Sequence, residues 1–254
     1  MFMKKFKKVF AFVAIMMGMS TMAIAQDGFS VRAGGNFPVG TFSQGEGADI
    51  ALVSSVSELG GAATGFNVGF KYQLGVVGNL GLFASADLFY NGLNGDAENN
   101  YSVDVEGADV TQPAYLNIPA MLGLNYAIVD ISGTTLWVEA GAGVNFANIT
   151  NSSIEYNNEL PIVGKVEAIS KSVYDMSTTF AWQAGFGICL NNTFSLGLHY
   201  YGFGKAPVSY ETSIDTSASG LGSLGIGNIL GEEGKFEVGK VQPSMLVVRL
   251  GYTF

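Results

Sequence analysis

The sequence predicts an all-β fold: an eight-stranded, up-and-down antiparallel β-barrel whose strands cross a lipid bilayer. Three observations lead to it. The chain opens on an export signal, eight later segments alternate apolar with polar or small residues, and the connections between those segments alternate long and short.

Residues 1–25 read as a cleaved signal peptide. Lys4, Lys5, Lys7 and Lys8 form a positive n-region, residues 9–19 are almost purely apolar, and Ala23-Ile24-Ala25 supplies the small-x-small pattern of a cleavage site. The apolar run is too short for a membrane-spanning helix, which needs about 20 residues. The mature domain is then 26–254. Cleavage removes four of the 12 basic residues and none of the 21 acids, which moves the net charge from −9 to −13. Nucleic acid is excluded as a partner, because a phosphate backbone is held by clustered Lys and Arg. Cys189 is the single cysteine, so the fold rests on packing and backbone pairing rather than on internal disulfides.

Composition narrows the class. Only 13% of residues are charged, while Gly numbers 35, Phe 18 and Tyr 11. Typical soluble domains carry about 25% charged residues. Abundant aromatics argue against disorder. Beyond residue 25 no stretch stays apolar for the roughly 18 residues that mark a helical span. An exported, aromatic chain without hydrophobic helices meets lipid through strands.

The strands are legible one by one. In 29–37, Phe29, Val31, Ala33 and Phe37 alternate with Ser30, Arg32, Gly34 and Asn36. In 66–74, Phe66, Val68, Phe70 and Tyr72 oppose Asn67, Gly69, Lys71 and Gln73. In 80–90, Leu82, Ala84, Ala86 and Leu88 oppose Phe83, Ser85, Asp87 and Phe89. In 115–126, Leu116, Ile118, Leu122 and Leu124 oppose Tyr115, Asn117, Pro119 and Met121. In 136–146, Leu136, Val138 and Val144 oppose Trp137, Glu139 and Asn145. The last three are 180–190, 194–201 and 246–254, whose second faces carry Gln183 and Cys189, His199 and Tyr201, and Arg249 and Gly251. Alternation alone also fits a soluble sandwich. The second face decides, because it is glycine, small residues and single charges instead of a solvated Lys- and Glu-rich surface. That suits a narrow lumen. Aromatics at the strand ends (Phe29, Phe37, Tyr72, Tyr90, Tyr126, Phe146, Tyr200, Tyr252) fit interfacial girdles.

The connections agree. Residues 38–64, 91–114, 147–177 and 202–242 are long, whereas 75–79, 127–134 and 191–193 are short. Long loops outside and tight periplasmic turns are the asymmetry of bacterial outer-membrane barrels. Four long and three short connections require eight strands, and an even count lets the sheet close without an open edge in lipid. Residues 207–212 and 235–242 read as strand extensions above the membrane. Ten strands is the alternative, with an extra hairpin in the last long loop.

Three of these segments resemble a known family. Tyr115-Leu-Asn-Ile-Pro-Ala-Met-Leu-Gly123 resembles a recurrent strand of the outer-membrane β-barrel family common in the Bacteroidota, which includes PorT-like proteins; Tyr115, Leu116, Ile118 and Pro119 carry the likeness. Val31-Arg-Ala-Gly-Gly-Asn36 and Val248-Arg-Leu-Gly-Tyr-Thr-Phe254 look like the first and last strands of that group, and are similar to the OmpA transmembrane domain. The resemblance implies a porin-like outer-membrane barrel of the cell envelope. It also implies that Tyr252 and Phe254, on the last strand, are read by the barrel-assembly machinery. No peptidoglycan-binding domain is expected downstream. Members differ widely in role, so the likeness implies a fold more than an activity. Pro119 removes a ladder donor from a central strand, which calls for a local bulge or a lumenal water.

Parity places Arg32, Lys71, Asp87, Glu139 and Arg249 in the lumen, with Phe83, Phe89, Tyr115, Met121, Trp137 and Tyr201. Eight strands leave room only for side chains. The charges must pair. Glu139 is the expected partner of Arg32 and Arg249, and Asp87 that of Lys71. A salt-bridged plug across the middle and lower lumen follows.

Chemistry has little to stand on. His199 is the only histidine, and Ser195, four positions away on the same strand face, lies about 13 Å off. No nucleophile elbow or metal-ligand spacing occurs. The expectation is a non-enzymatic protein without cofactor or metal. The working surface is then the acidic outer loops, including Glu46, Asp49, Glu58, Asp96, Glu98, Asp104, Glu106 and Asp109. Outer-membrane lipid and lipopolysaccharide, bridged by divalent ions, are the expected surroundings, and the barrel is expected to be a monomer. A structural or loop-displaying role stands beside a transport or secretion-associated one. A Gly-, Ser- and Leu-rich stretch, 217–231, would be a lid if it folds over the mouth.

Overall fold

The strands follow the alternation closely. A computed structural model describes residues 28–44, 60–95, 108–160, 164–216 and 234–254. The signal peptide, the 217–231 stretch and the acidic positions 46, 49, 58, 96, 98, 104 and 106 lie outside the described residues. In chain order the strands are β1 (Gly28–Pro38), β2 (Gly65–Val77), β3 (Leu80–Asn91), β4 (Ala108–Thr111), β5 (Tyr115–Ile131) and β6 (Thr134–Ile149). They continue with β7 (Ser152–Leu160), β8 (Gly164–Tyr174), β9 (Ser177–Leu190), β10 (Phe194–Phe203), β11 (Ala206–Thr216), β12 (Gly234–Val241) and β13 (Ser244–Thr253).

Eight of them close into a barrel in the order β1-β13-β10-β9-β6-β5-β3-β2. Every neighbouring pair is antiparallel, and β1 seals the sheet against β13 through a register running from Ser30 opposite Thr253 to Pro38 opposite Met245. Tight turns join β2 to β3, β5 to β6 and β9 to β10. Ser132 and Gly133 (φ 53° and 82°) and Asn191 and Asn192 (φ 50° and 56°) take the positive φ values that match the twist of paired strands.

The other five strands form a second sheet, in the order β12-β11-β8-β7-β4. The barrel therefore has eight strands and not ten. The expected extension at 207–212 falls in β11 and that at 235–242 in β12 but for its last residue, and both strands belong to this second sheet. The β7–β8 hairpin replaces what reads in sequence as one long loop. It carries no lipid-facing row, so its polar side chains give no membrane alternation.

Pro119 needs no bulge. The β3–β5 register is continuous, but the pairs that would set Asp87 against Pro119 and Leu88 against Ile118 are missing from it. Towards β6 the ladder is intact, with Pro119 opposite Asn145. The barrel's breaks in register lie elsewhere, between Gly75 and Val77 and between Ala127 and Val129, both near the tight turns.

The outer wall is apolar. Phe70, Leu122, Leu124, Phe180, Phe186 and Leu250 are each more than half exposed. Rings pair along both ends: Phe29 with Phe70, Phe194 with Tyr252 and Tyr252 with Phe254 near the turns, Phe66 with Tyr90 and Trp182 with Tyr200 near the mouth. A belt of this extent is stable only against hydrocarbon, and a closed barrel leaves no open strand edge there. The chain is a closed eight-stranded β-barrel with an apolar outer belt.

Candidate functional site

The interior begins with room. Lumenal positions facing the largest side chains are glycines. A methyl group at Gly69 would collide with the Asp87 carboxylate, and one at Gly185 with the His199 ring. Removing those side chains lets their neighbours lie flat across the sheet and reach the axis.

The five charged residues expected in the lumen are all buried, and they meet. Arg32 Nη2 donates to both carboxylate oxygens of Asp87, at 3.0 and 3.2 Å. Arg249 Nη1 lies 3.3 Å from Asp87 Oδ1. Lys71 Nζ donates to Glu139 Oε2 at 2.5 Å, and Arg32 Nη1 stands 3.8 Å from Glu139 Oε1. The pairing thus differs from the expected one. Asp87, not Glu139, holds both arginines closely, and Lys71 belongs to Glu139. Strand adjacency cannot give height along the barrel axis, and height decides the partner. In register, Arg32 stands opposite Gly69 and Gly69 opposite Asp87, so the three share one level.

Polar side chains complete the layer. Glu139 Oε1 takes a hydrogen bond from Gln183 Nε2 at 3.2 Å and contacts His199 Nε2 at 3.0 Å. Tyr201 receives Arg249 Nη1 at 2.7 Å and donates its hydroxyl hydrogen to Asp87 at 3.3 Å. Arg249 Nε donates to Asn67 Oδ1 at 2.8 Å. Aromatic faces flank the cations, Phe89 and Tyr201 about Arg249 and Phe83 and Trp137 about Lys71. These contacts matter because charge withdrawn from water must be matched by partners and hydrogen bonds.

Above this layer sit amide pairs, Asn145 with Asn117 at 2.8 Å and Asn36 with Asn91 at 2.7 Å. The mouth is then closed by a segment that the sequence did not announce. After β1 a single 3-10 turn, η1 (Gly40–Phe42), drops Phe42 into the opening, where it is fully buried and packs edge-on against Tyr115 at 5.1 Å. Backbone bonds from Ala62 N to Phe42 O and from Val39 N to Ser244 O hold it, and the Tyr115 hydroxyl donates to Gly60 O at 2.6 Å. Phe203, Val208, Val241 and Met245 belong to the same buried apolar cluster. Phe42 lies in a loop without periodicity, so no sequence signal marks it.

The other singled-out residues fall in different places. Leu116 and Ile118 are half-buried on the outer wall, while Tyr115 and Pro119 are buried. Tyr252 and Phe254 are exposed on the outer face beside Phe194 and Phe29. His199 faces Glu139, whereas Ser195 pairs in register with Gly251 and Cys189 lower in the barrel. Among the described residues no three His, Cys, Asp or Glu side chains are grouped to hold a metal ion.

Outside the membrane, β8 and β11 are tied to the rim. Asp175 accepts from Ser209 Oγ at 2.8 Å and from Lys235 Nζ at 2.9 Å, and its backbone N–H donates to Ser209 O. The hydrogen bond from Lys235, the bond from Ser209 and the ammonium charge hold the Asp175 carboxyl below its ordinary value.

No family model matches the chain, and no curated protein matches it. Solved structures do resemble it. The outer-membrane protein OprG of Pseudomonas aeruginosa is 15% identical, over 91% of this chain and 97% of that one, with a TM-score of 0.47. The attachment invasion locus protein Ail of Yersinia pestis is 12% identical over 90% and 99%, with a TM-score of 0.38. The outer-membrane protein AlkL is 15% identical over 92% and 94%, with a TM-score of 0.36.

Proposed function

We propose that this protein is a non-enzymatic integral outer-membrane barrel with a closed lumen, whose work is done by the sheet and loops it holds above the outer leaflet. One observation carries the reading. The interior is filled twice, by the charge layer about Asp87 and Glu139 and by the Phe42 cap above it. An eight-stranded barrel has no width left for solute once such side chains are in place.

The five-stranded sheet is the natural display surface. Its strands join β5, β6, β9, β10 and β13 after breaks of only a few residues, so the barrel fixes its position. Acidic loops around it suit lipopolysaccharide bridged by divalent ions. Assembly by the barrel-assembly machinery, with Tyr252 and Phe254 on the outer face, belongs to the same reading, as does a monomer in the membrane. A PorT-like secretion-associated role is the alternative, and it rests on the likeness of 115–123 and of the first and last strands.

The test is electrical and genetic. Purified protein in planar bilayers should give no steady conductance, and a strain lacking the protein should lose envelope integrity or surface binding while its secretion stays normal. Steady channels in the wild-type protein would overturn the closed lumen. Loss of cargo secretion alone would favour the secretion reading.

A further inference from the structure

The buried charges of the lumen do not cancel. Among the described residues, Arg32, Lys71 and Arg249 face only two lumenal carboxylates, Asp87 and Glu139. His199 adds nothing negative. One positive charge is therefore in excess inside a closed ladder surrounded by hydrocarbon, a place where uncompensated charge is strongly unfavourable.

Two strong donors stand unused in the same corner. Arg249 Nη2 and Asn67 Nδ2 have no hydrogen-bond partner, although Arg249 is only 2% exposed and Asn67 only 1%. The residues touch each other, since Arg249 Nε donates to Asn67 Oδ1 at 2.8 Å. That bond fixes the amide: the flipped amide would set its NH2 against the Nε–H, donor against donor. The guanidinium is planar and rigid, so with Nη1 committed to Tyr201 and Asp87 its free amine remains beside the free amide of Asn67. The Phe89 face, 5.0 Å from the guanidinium carbon, closes one side without offering an acceptor.

We infer that this corner of the lumen binds one small monovalent anion, of the halide class, between Arg249 Nη2 and Asn67 Nδ2. A single negative charge balances the excess. A divalent oxyanion would reverse it, and would bring its own charge against Asp87. The anion is a structural ligand of the barrel rather than a transported solute, so the inference goes beyond the proposed function and survives or fails apart from it.

Bromide is the probe. Crystals of the detergent-solubilised protein grown in bromide should show one anomalous peak in the lumen, within hydrogen-bonding distance of both nitrogens. In solution, bromide should raise the thermal unfolding midpoint above that in gluconate at equal ionic strength, as ligation of the native state requires. Asn67→Leu should need about tenfold more bromide for the same rise, as for loss of one charge-assisted hydrogen bond. If Asn67→Leu fails to assemble, Arg249→Lys keeps the charge, removes the planar fork and should abolish the bromide dependence. No lumenal peak together with equal midpoints in the two salts would overturn the inference. Conductance measurements read the closed lumen separately, so the two failures cannot be confused.

Discussion

Arg32 and Asp87 meet across a residue that has no side chain. Gly69 stands between them in the register of β1, β2 and β3, and a methyl group there would occupy the position of the Asp87 carboxylate. The two charges are bonded at 3.0 Å because the strand between them is bare. Gly69→Ala should therefore displace the carboxylate and destabilise the barrel by about 1–3 kcal/mol, as overpacking does. Asp87→Asn removes the charge itself and should cost more, about 3–5 kcal/mol, because Arg32 and Arg249 are left buried without it. Urea midpoints in lipid vesicles, read by heat-modified electrophoretic mobility, check the order. Equal stability of Gly69→Ala and wild type would show that the glycine is incidental.

The wall of the barrel was legible in the sequence because lipid imposes a rule on every second residue. Parity separates Arg32, Lys71, Asp87, Glu139 and Arg249 from the apolar row, and the long-short rhythm counts the strands. Parity carries no height, so the partners of Asp87 and Glu139 were exchanged. The Phe42 cap and the β7–β8 hairpin lie beyond the bilayer, where nothing forces alternation. Parity places Tyr201 inward, but its part in joining Arg249 to Asp87 depends on a register that a single sequence does not display.

The membrane belt has a depth, and two substitutions read it. Leu122 is 63% exposed in the middle of β5, while Ile131, 66% exposed, ends the same strand beside the tight turn. Leu122→Arg should cost about 2–4 kcal/mol and Ile131→Arg about 0–1 kcal/mol, since the penalty falls from the bilayer midplane to its surface. Refolding into vesicles over a urea series measures both. Equal costs at the two sites would contradict the placement of the belt.

Phe42 closes the mouth without belonging to the wall. Phe42→Ala should leave the strands paired but loosen residues 40–44 and the stretch around Gly60 that Tyr115 holds. Loss of a fully buried Phe costs about 3–5 kcal/mol. Here that cost should fall on the cap rather than the barrel, because the cap is fastened by few backbone bonds. Limited proteolysis should cut the variant near η1 at a rate well above wild type, with the heat-modified mobility of the barrel unchanged. Uncut protein would mean that the mouth is sealed by other groups.

The tether at the rim depends on pH in one direction. The Asp175 carboxyl is held below its ordinary value by the hydrogen bond from Lys235, then by that from Ser209 and the ammonium charge, and Lys235 is held above its own by Asp175. A depressed carboxyl contributes stability that is present above its unfolded value and disappears as pH falls through the folded one. A raised amine contributes below its unfolded value and loses it as pH rises through the folded one. The tether should thus persist across neutral pH and fail at both extremes. Both groups are exposed, so salt should screen the pair and the global stability should hardly register it. Carboxyl-carbon NMR should place the Asp175 titration below that of an unpaired aspartate, and Lys235→Met should return it upward by removing the largest cause. An unchanged midpoint in Lys235→Met would assign the depression to Ser209 alone, and Ser209→Ala would then have to abolish it.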